Sequence, residues 1–210
     1  MHPAIGDLVS TLFYNGKVQN GVSAMDRSIE LKLLKGNAIT WISTTSSGKN
    51  RYEQSASVES KSFINVCEIN IILSLLEKLA KEMTDAAISY SIGIITPYRA
   101  QLEMIKSRLS SIHVENLNLD VNTVDAFQGN QRDIIIYSTV RSNSKNQIGI
   151  LREEARLNVS FSRAKRALII VGDNQFLGSS KISGNLFPDI LRYINDHSEF
   201  CKLIDAKELT

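Results

Sequence analysis

The sequence predicts an α/β domain built on a mostly parallel β-sheet with helices on both faces. Two continuous runs of apolar, β-branched residues, Asp133–Val140 and Leu168–Gly172, are typical of strands buried on both faces. A third apolar run, Ser91–Thr96, is separated from them by segments with helical spacing. Strands that alternate with helices predict a parallel sheet. The length of 210 residues and the apolar content of 43% fit a single compact domain over residues 1–210.

The amino-terminal part, residues 1–60, is predicted to form one helix and a turn-rich lead-in to a core at residues 61–200. Pro3 suits the first position of a helix, and Asn15 with the glycine after it is a typical helix end. Ala38–Thr45 alternates enough between apolar and polar residues to be a strand.

The pair Gly48 and Lys49 invites comparison with a phosphate-binding loop of the type GxxxxGK[ST]. The first glycine of that motif is absent, and Asn50 occupies the position of the hydroxyl that would hold Mg²⁺. An acidic DE motif after a strand is also missing from the sequence. We therefore predict a solvated loop at this position.

Four later segments have helical spacing of apolar residues. The first is Ser62–Met83, and the second follows the strand at 91–96, with Thr96 as its cap and Pro97 at its start. A terminal helix is predicted at Pro188–His197. The segment Arg152–Leu168 has a helical stripe, although alternation within it leaves a short strand open.

Charge and cysteine content limit the classes of protein to consider. The net charge of +2 is too mild to imply nucleic-acid binding without local clustering of charge. Cys67 and Cys201 show no metal-binding or CxxC spacing, and the chain has no signal-like start. We therefore expect reduced thiols in a cytoplasmic or nuclear protein. No apolar run approaches the ~20 residues of a membrane span, so no membrane partner is predicted.

Three motifs occur in an order and at a spacing that fit one domain. They are GIITPYRAQ, which ends at Gln101, VNTVDAFQG, which ends at Gly129, and NVSFSRAK, which ends at Lys165. These motifs resemble motifs IV, V and VI of superfamily 1 helicases, in the branch that includes the nonsense-decay RNA helicases and senataxin. The start, MHPAIGDLVSTLFYNGKVQNG, resembles that family's QYRMHP element without its first three residues, among them an arginine that faces the nucleotide phosphates.

The resemblance implies a RecA-like P-loop NTPase fold, as the second motor domain, in a chain without Walker A and B motifs. It implies that the complete two-domain protein binds ATP and Mg²⁺ in a cleft between this domain and an N-terminal RecA-like domain of the same protein. Hydrolysis would open and close that cleft and move a nucleic-acid strand. We expect this chain alone to bind neither ATP nor Mg²⁺ tightly and to be inactive.

The resemblance assigns the chemistry of ATP hydrolysis to arginines. Arg163 matches the arginine finger of motif VI, whose guanidinium stabilises the negative charge that develops during phosphoryl transfer. Arg99 is predicted as a second cationic ligand, since it follows the carboxyl end of a strand, where open α/β sheets bind ligands. Nucleotide contacts are implied for four further residues: Gln101, Gly129, Gln131 and Arg156.

Position 131 departs from the family pattern. The family has a glutamate here, two residues after the glycine of motif V, and this glutamate accepts a hydrogen bond from a ribose hydroxyl. Gln131 can still accept through its amide oxygen, but without the charge that strengthens such bonds. Gln128 and Gly129 are predicted to form the turn before it.

Nucleic-acid contacts are implied for four residues: Thr123, Asp125, Arg141 and Ser142. A hydroxyl suits contact with the phosphate backbone without base readout. Single-stranded DNA or RNA is the expected partner, because basic residues greatly outnumber acidic ones between positions 132 and 166. Phe127 and Phe161 are expected to lie in the core and not to stack on bases.

Two alternatives to a catalytic motor domain follow from the same sequence. The first is a non-catalytic half-motor that binds nucleic acid or a protein partner. The second, a Rossmann-type cofactor enzyme, is disfavoured because no GxGxxG motif is present.

Overall fold

Six parallel strands form the central sheet of this domain. The computed structural model describes residues 1–57, 61–112, 114, 117–127, 129–179 and 181–209. The sheet has the order β5-β4-β6-β7-β1-β8, and all its neighbours pair in parallel. Its strands are β1 (Ile39–Ser43), β4 (Ile92–Thr96), β5 (Leu119–Thr123), β6 (Arg132–Ser138), β7 (Ala164–Gly172) and β8 (Cys201–Asp205). The α/β prediction with a parallel sheet is confirmed.

A short antiparallel ribbon and six α-helices complete the described part of the fold. The ribbon consists of β2 (Gln54–Ser55) and β3 (Phe63–Ile64). The helices are α1 (Pro3–Tyr14), α2 (Val66–Asp85), α3 (Arg99–Leu109), α4 (Glu154–Phe161), α5 (Asn174–Leu177) and α6 (Phe187–Asp196). None of the described helices is both long and apolar enough to cross a bilayer.

The helices lie on both faces of the sheet because successive strand residues point to opposite sides. In β6, Ile135 and Tyr137 pack with α1, α4 and α6 in one core, whereas Ile134 and Ile136 pack with α2 and α3 in the other. Phe127 and Phe161 are fully buried in the first core, as predicted.

The predicted first helix is confirmed at both ends. His2 caps α1, since its Nδ1 accepts a hydrogen bond from the Ala4 backbone at 3.2 Å, and Pro3 is the first helical residue. Asn15 ends the helix in the left-handed conformation, with φ 52°. The loop around Gly48 and Lys49 is a short 3-10 segment whose two central residues are exposed, as predicted for a solvated loop.

Two predicted helix starts are wrong for local reasons. The helix predicted from Ser62 begins at Val66, because residues 63–64 pair with β2 and Asn65 caps the helix by accepting from the Glu68 backbone. The helix predicted from Pro97 begins at Arg99, and Thr96 belongs to the end of β4. Both helices therefore follow extended residues that the apolar pattern does not separate from the helix.

The carboxyl-terminal half differs from the prediction at its strands. The segment after Arg152 is helical as α4, so the strand alternative there is wrong, and β7 begins at Ala164, four residues before the predicted start. The edge strand β8 was not predicted. Because β1 lies between β7 and β8, residues 1–60 contribute a central strand to the sheet and are more than a lead-in.

Candidate functional site

The candidate site residues divide between two edges of the sheet. In a parallel sheet all amino ends meet at one edge and all carboxyl ends at the other. Gln131 and Arg163 directly precede β6 and β7, so they lie at the amino edge. Thr123 ends β5, and Arg141 follows β6 by three residues, so these two lie at the carboxyl edge.

Arg163 is half-buried at the amino edge and is held by its own neighbourhood. Its Nε donates to the Val159 carbonyl at 3.1 Å, and its Nη2 donates to Ser162 Oγ at 3.1 Å. Its backbone carbonyl accepts from the Arg132 backbone at 3.1 Å, which ties the turn before β7 to the start of β6. Among the described residues no carboxylate pairs with its guanidinium. The guanidinium therefore keeps a positive charge that no carboxylate of the described residues neutralises in this conformation.

The residues beside Arg163 leave this edge open. Gly129 adopts φ 87°, a left-handed conformation that glycine takes without strain, and Gln131 is exposed. Gln128, the other residue of the predicted turn, lies outside the described residues. The start of α1 reaches the same edge, because the His2 backbone donates to the Lys165 carbonyl at 2.8 Å. Burial lowers the pKa of His2, and the positive amino terminus adds to this effect.

Arg156 joins the segment after β5 to helix α4. Its Nη2 lies 3.1 Å from Asp125 Oδ2, and its Nε lies 2.9 Å from Glu153 Oε2. It precedes Arg163 by seven residues, and helix α4 ends at Phe161, two residues before Arg163. Motif V is thus linked by a direct ion pair to the helix that leads into motif VI, and Arg156 is engaged by carboxylates in this conformation.

The structure separates Arg99 from Arg163, contrary to the prediction that both act on one phosphoryl group. Arg99 follows β4 at the carboxyl edge, where its side chain is 84% exposed and pairs with Glu103 at 2.9 Å. The end of β4 is level with Ile170 of β7, six residues beyond Ala164. At ~3.3 Å per residue the two arginines are about 20 Å apart along the strands.

Gln101 is fully buried, so its prediction as a nucleotide ligand does not fit the structure. Its Oε1 accepts from the Asn65 backbone at 2.8 Å, and its Nε2 donates to Ser138 Oγ at 3.0 Å. The amide therefore connects α3 to α2 and β6 and is inaccessible to a ligand.

Arg141 and Ser142 are also internal, at 4% and 0% exposure. Arg141 lies 3.2 Å from Glu53 Oε1 and donates to the Tyr98 hydroxyl at 3.0 Å, and Ser142 Oγ donates to Asp173 Oδ2 at 2.6 Å. Burial raises the pKa of Glu53, and the charge of Arg141 opposes that shift. In this conformation Ser142 is enclosed and Arg141 is almost entirely covered, so their predicted role as direct nucleic-acid contacts does not fit the structure.

An open groove of about 770 Å³ lies at the carboxyl edge above Arg141. Three exposed cations, Lys61, Arg99 and Arg152, line it together with one exposed carboxylate, Glu153. Phe63 and Tyr98 also line it, and their rings meet edge to face at 5.5 Å. Sequence reasoning did not find Lys61 or Phe63, because the ribbon that carries them is brought here only by folding. Thr123 and Asp125 stay at the same edge, half-buried and exposed respectively. A groove with several cations and an aromatic side chain suits a phosphate backbone.

Within the described residues, no group of three or more His, Cys, Asp or Glu side chains could hold a metal ion.

Comparisons with known proteins agree on one family. The family model described as AAA domain (AAA_12) matches residues 1–175. Helicase sen1 of Schizosaccharomyces pombe is 30% identical over 91% of this chain and 11% of its own length. The 5'-3' DNA helicase ZGRF1 of Mus musculus is 35% identical, with coverages of 88% and 9%. The putative regulator of nonsense transcripts 1 of Takifugu rubripes is 34% identical, with coverages of 89% and 17%, so the chain spans less than a fifth of each relative.

Proposed function

Because this chain belongs to the AAA domain family that matches residues 1–175, as a C-terminal domain of a superfamily 1 helicase, we propose that it contributes an arginine finger, Arg163, to an ATP site. An N-terminal RecA-like domain of the same protein completes that site. The whole protein is then an ATP-dependent helicase that acts on DNA or RNA inside the cell.

The observation that carries this proposal is that no carboxylate among the described residues forms a salt bridge with the guanidinium of Arg163. A finger must present its charge to the phosphoryl oxygens at the moment when negative charge develops there. Bonds to the Val159 carbonyl and to Ser162 fix the orientation of the side chain without neutralising it. Preorganisation of this kind lowers the reorganisation needed in the transition state.

Bound ATP with Mg²⁺ supplies the phosphoryl group and the cation that shields it. The exposed residues Gly129 and Gln131, at the same edge as Arg163, fit the ribose side of such a nucleotide. Ligands for Mg²⁺ would come from the other domain, since the sequence of this chain lacks the Walker motifs that supply them. Arg99 is not part of this site, because it lies at the opposite edge.

The basic groove at the carboxyl edge supports a second part of the proposal, binding of single-stranded nucleic acid. Lys61, Arg99 and Arg152 contribute exposed positive charge, with Phe63 and Tyr98 beside them. Contacts of this kind neutralise phosphates and depend on salt, and they do not read sequence. The alternative function is a non-catalytic module that only binds nucleic acid. That alternative needs the groove and nothing else, because the groove is formed by this chain alone. The ATP site also needs residues of a second domain.

The test uses the complete two-domain helicase with Arg163→Ala. We expect kcat for ATP hydrolysis to fall by about 10³-fold or more, with a smaller change in ATP affinity, since the finger acts on transition-state charge. Arg163→Lys keeps the charge but loses the planar fork and is expected to rescue only part of the rate.

Arg192→Ala is the matched control, because Arg192 is a surface arginine, 69% exposed and paired with Asp189 on α6. Its rate should equal that of the unmodified protein. An unchanged rate for Arg163→Ala would exclude the finger, and equal losses in rate and affinity would make Arg163 a ground-state ligand.

A further inference from the structure

The backbone of Val140 is strained just beyond the end of β6. Val140 has φ 69° and is fully buried. The left-handed region is unfavourable for a β-branched residue, because its Cβ crowds the following carbonyl. Such a conformation persists only where the surrounding structure imposes it.

Two side chains from the start of α2 hold this residue on both sides. Glu68 Oε2 accepts from the Val140 backbone N–H at 2.9 Å, and Asn65 Nδ2 donates to the Val140 carbonyl at 2.9 Å. Asn65 and Glu68 are themselves joined, since Asn65 Oδ1 accepts from the Glu68 backbone at 3.1 Å. We call this pair the latch.

The carboxylate of Glu68 is fully buried, although an apolar side chain could fill the same space. Glu68 also accepts from Ser138 Oγ at 2.6 Å and from Thr139 Oγ1 at 3.0 Å, so each of these close partners is a donor. No cation pairs with it among the described residues, and the charged group that faces it is Asp173, which pairs with Arg51. A buried carboxylate without a cation is costly, so its hydrogen bonds to residues 138–140 must hold it.

The residue after Val140 forms the floor of the basic groove. The Arg141 guanidinium carbon lies 4.2 Å from the centroid of the Phe63 ring, and its Nη1 donates to the Tyr98 hydroxyl. The same Nη1 packs against Gly149, where an added Cβ would lie 2.6 Å from it. Gly149 begins the short 3-10 segment that carries Arg152. The direction of Arg141 therefore sets both walls of the groove.

We propose that Asn65 and Glu68 are positioning residues for nucleic-acid binding, because they hold Val140 in its left-handed conformation and so fix Arg141 beneath the groove. This inference rests on the proposed function, in which the groove binds single-stranded phosphate backbone. Glu68 acts through the shape of the groove and never contacts the ligand.

The charge of Glu68 makes the inference testable, because an electrostatic role and a positioning role predict opposite changes in nucleic-acid affinity for Glu68→Gln. At a pH well above 7, where Glu68 is ionised, removing its negative charge near a cationic groove strengthens the attraction for phosphate, so an electrostatic role alone predicts tighter binding by Glu68→Gln at that pH. The latch predicts weaker binding, because a neutral amide holds Val140 less firmly and lowers the fraction of molecules with a formed groove. A competent fraction of roughly one third to one tenth raises the apparent Kd about three- to ten-fold.

The experiment titrates a labelled oligothymidylate of about 20 nucleotides with the 210-residue chain at two salt concentrations. Lys61→Ala and Arg152→Ala test the groove and should each weaken binding several-fold. Glu68→Gln tests the latch. Adding Val140→Gly to Glu68→Gln should restore binding to within about two-fold, since glycine adopts a left-handed φ without a latch. Val140→Ala in the same background should not restore it.

Each outcome decides between the two claims. If Lys61→Ala and Arg152→Ala leave binding unchanged, the groove does not bind nucleic acid, and both the proposed function of the groove and the latch fail. If those variants weaken binding while Glu68→Gln leaves it equal or tighter, the latch is overturned and the groove stands. Equal rescue by Val140→Gly and Val140→Ala would overturn the latch as well. Far-UV circular dichroism of each variant verifies that the compared chains are folded.

Discussion

Strain at Val140 predicts an unusual order of stability for two substitutions. Val140→Ala removes two buried methyl groups, at ~0.8 kcal/mol each plus a cavity contribution, so the free energy of unfolding should fall by about 2 kcal/mol. At an unstrained, extended and buried position, glycine instead of alanine lowers the free energy of unfolding by about a further 1.5 kcal/mol. One more buried carbon is lost, and the unfolded chain becomes more flexible. At φ 69° alanine retains ~1–2 kcal/mol of strain that glycine does not. The two variants of Val140 should therefore be nearly equal in stability.

Val171 provides the matched comparison, because it is a fully buried valine inside strand β7. There, Val171→Gly should be less stable than Val171→Ala by about 1.5 kcal/mol or more. Urea denaturation followed by the fluorescence of Trp41, the single tryptophan and fully buried, measures all four variants with one probe. If the glycine variant is less stable than the alanine variant by the same free energy at positions 140 and 171, the backbone of Val140 is not strained. In that case the latch is not needed to keep Val140 in its conformation.

Three further predictions concern charge. Burial raises the pKa of Glu68 from 4.5 to about 7, so its contribution to stability is fully present below pH 4.5. That contribution is lost as the pH rises through about 7, on the order of 3 kcal/mol in total, and Glu68→Gln should flatten this part of a pH series of urea denaturations. Gln131→Glu in the two-domain protein should tighten ATP binding by on the order of 1 kcal/mol in calorimetry, because a charged acceptor strengthens a bond to the ribose. The same gain with 2′,3′-dideoxy-ATP would show that position 131 does not contact the sugar. A double-mutant cycle on Arg156 and Asp125 should give a coupling of about 1 kcal/mol or less, because the Asp125 side chain is 69% exposed and water weakens such a pair. A larger coupling would contradict that exposure.

Structural features that depend on residues close together in the sequence were predictable. The bounds of α1 follow from Pro3 and Asn15, and the apolar runs of β4, β6 and β7 indicate strands buried on both faces. The family prediction, which rests on three motifs in order, is confirmed by the match over residues 1–175 together with the helicase relatives. The edge strand β8 was missed because it is short and lacks a continuous apolar run. Two of its five residues, Lys202 and Asp205, are charged.

Burial of polar residues was not predictable, because it depends on partners distant in sequence. Gln101, Arg141 and Ser142 were predicted as ligand contacts, yet each is buried with hydrogen-bond partners between 31 and 89 positions away. No spacing rule indicates that Glu68 meets the end of β6. The division of the site between two sheet edges was equally hidden, since it follows from the direction of each strand and from the strand order in the folded sheet.

Helix α4 gives the two edges a mechanical connection. It is a single rigid segment of eight residues, about 12 Å long, that starts beside the ion pair of Arg156 with Asp125 and ends two residues before Arg163. A short helix does not compress, so a displacement at one end is carried to the other with little loss. If the proposed phosphate contacts draw Arg156 away from Asp125, the displaced helix is the one whose Val159 carbonyl accepts from Arg163 Nε, so both arginines share one support.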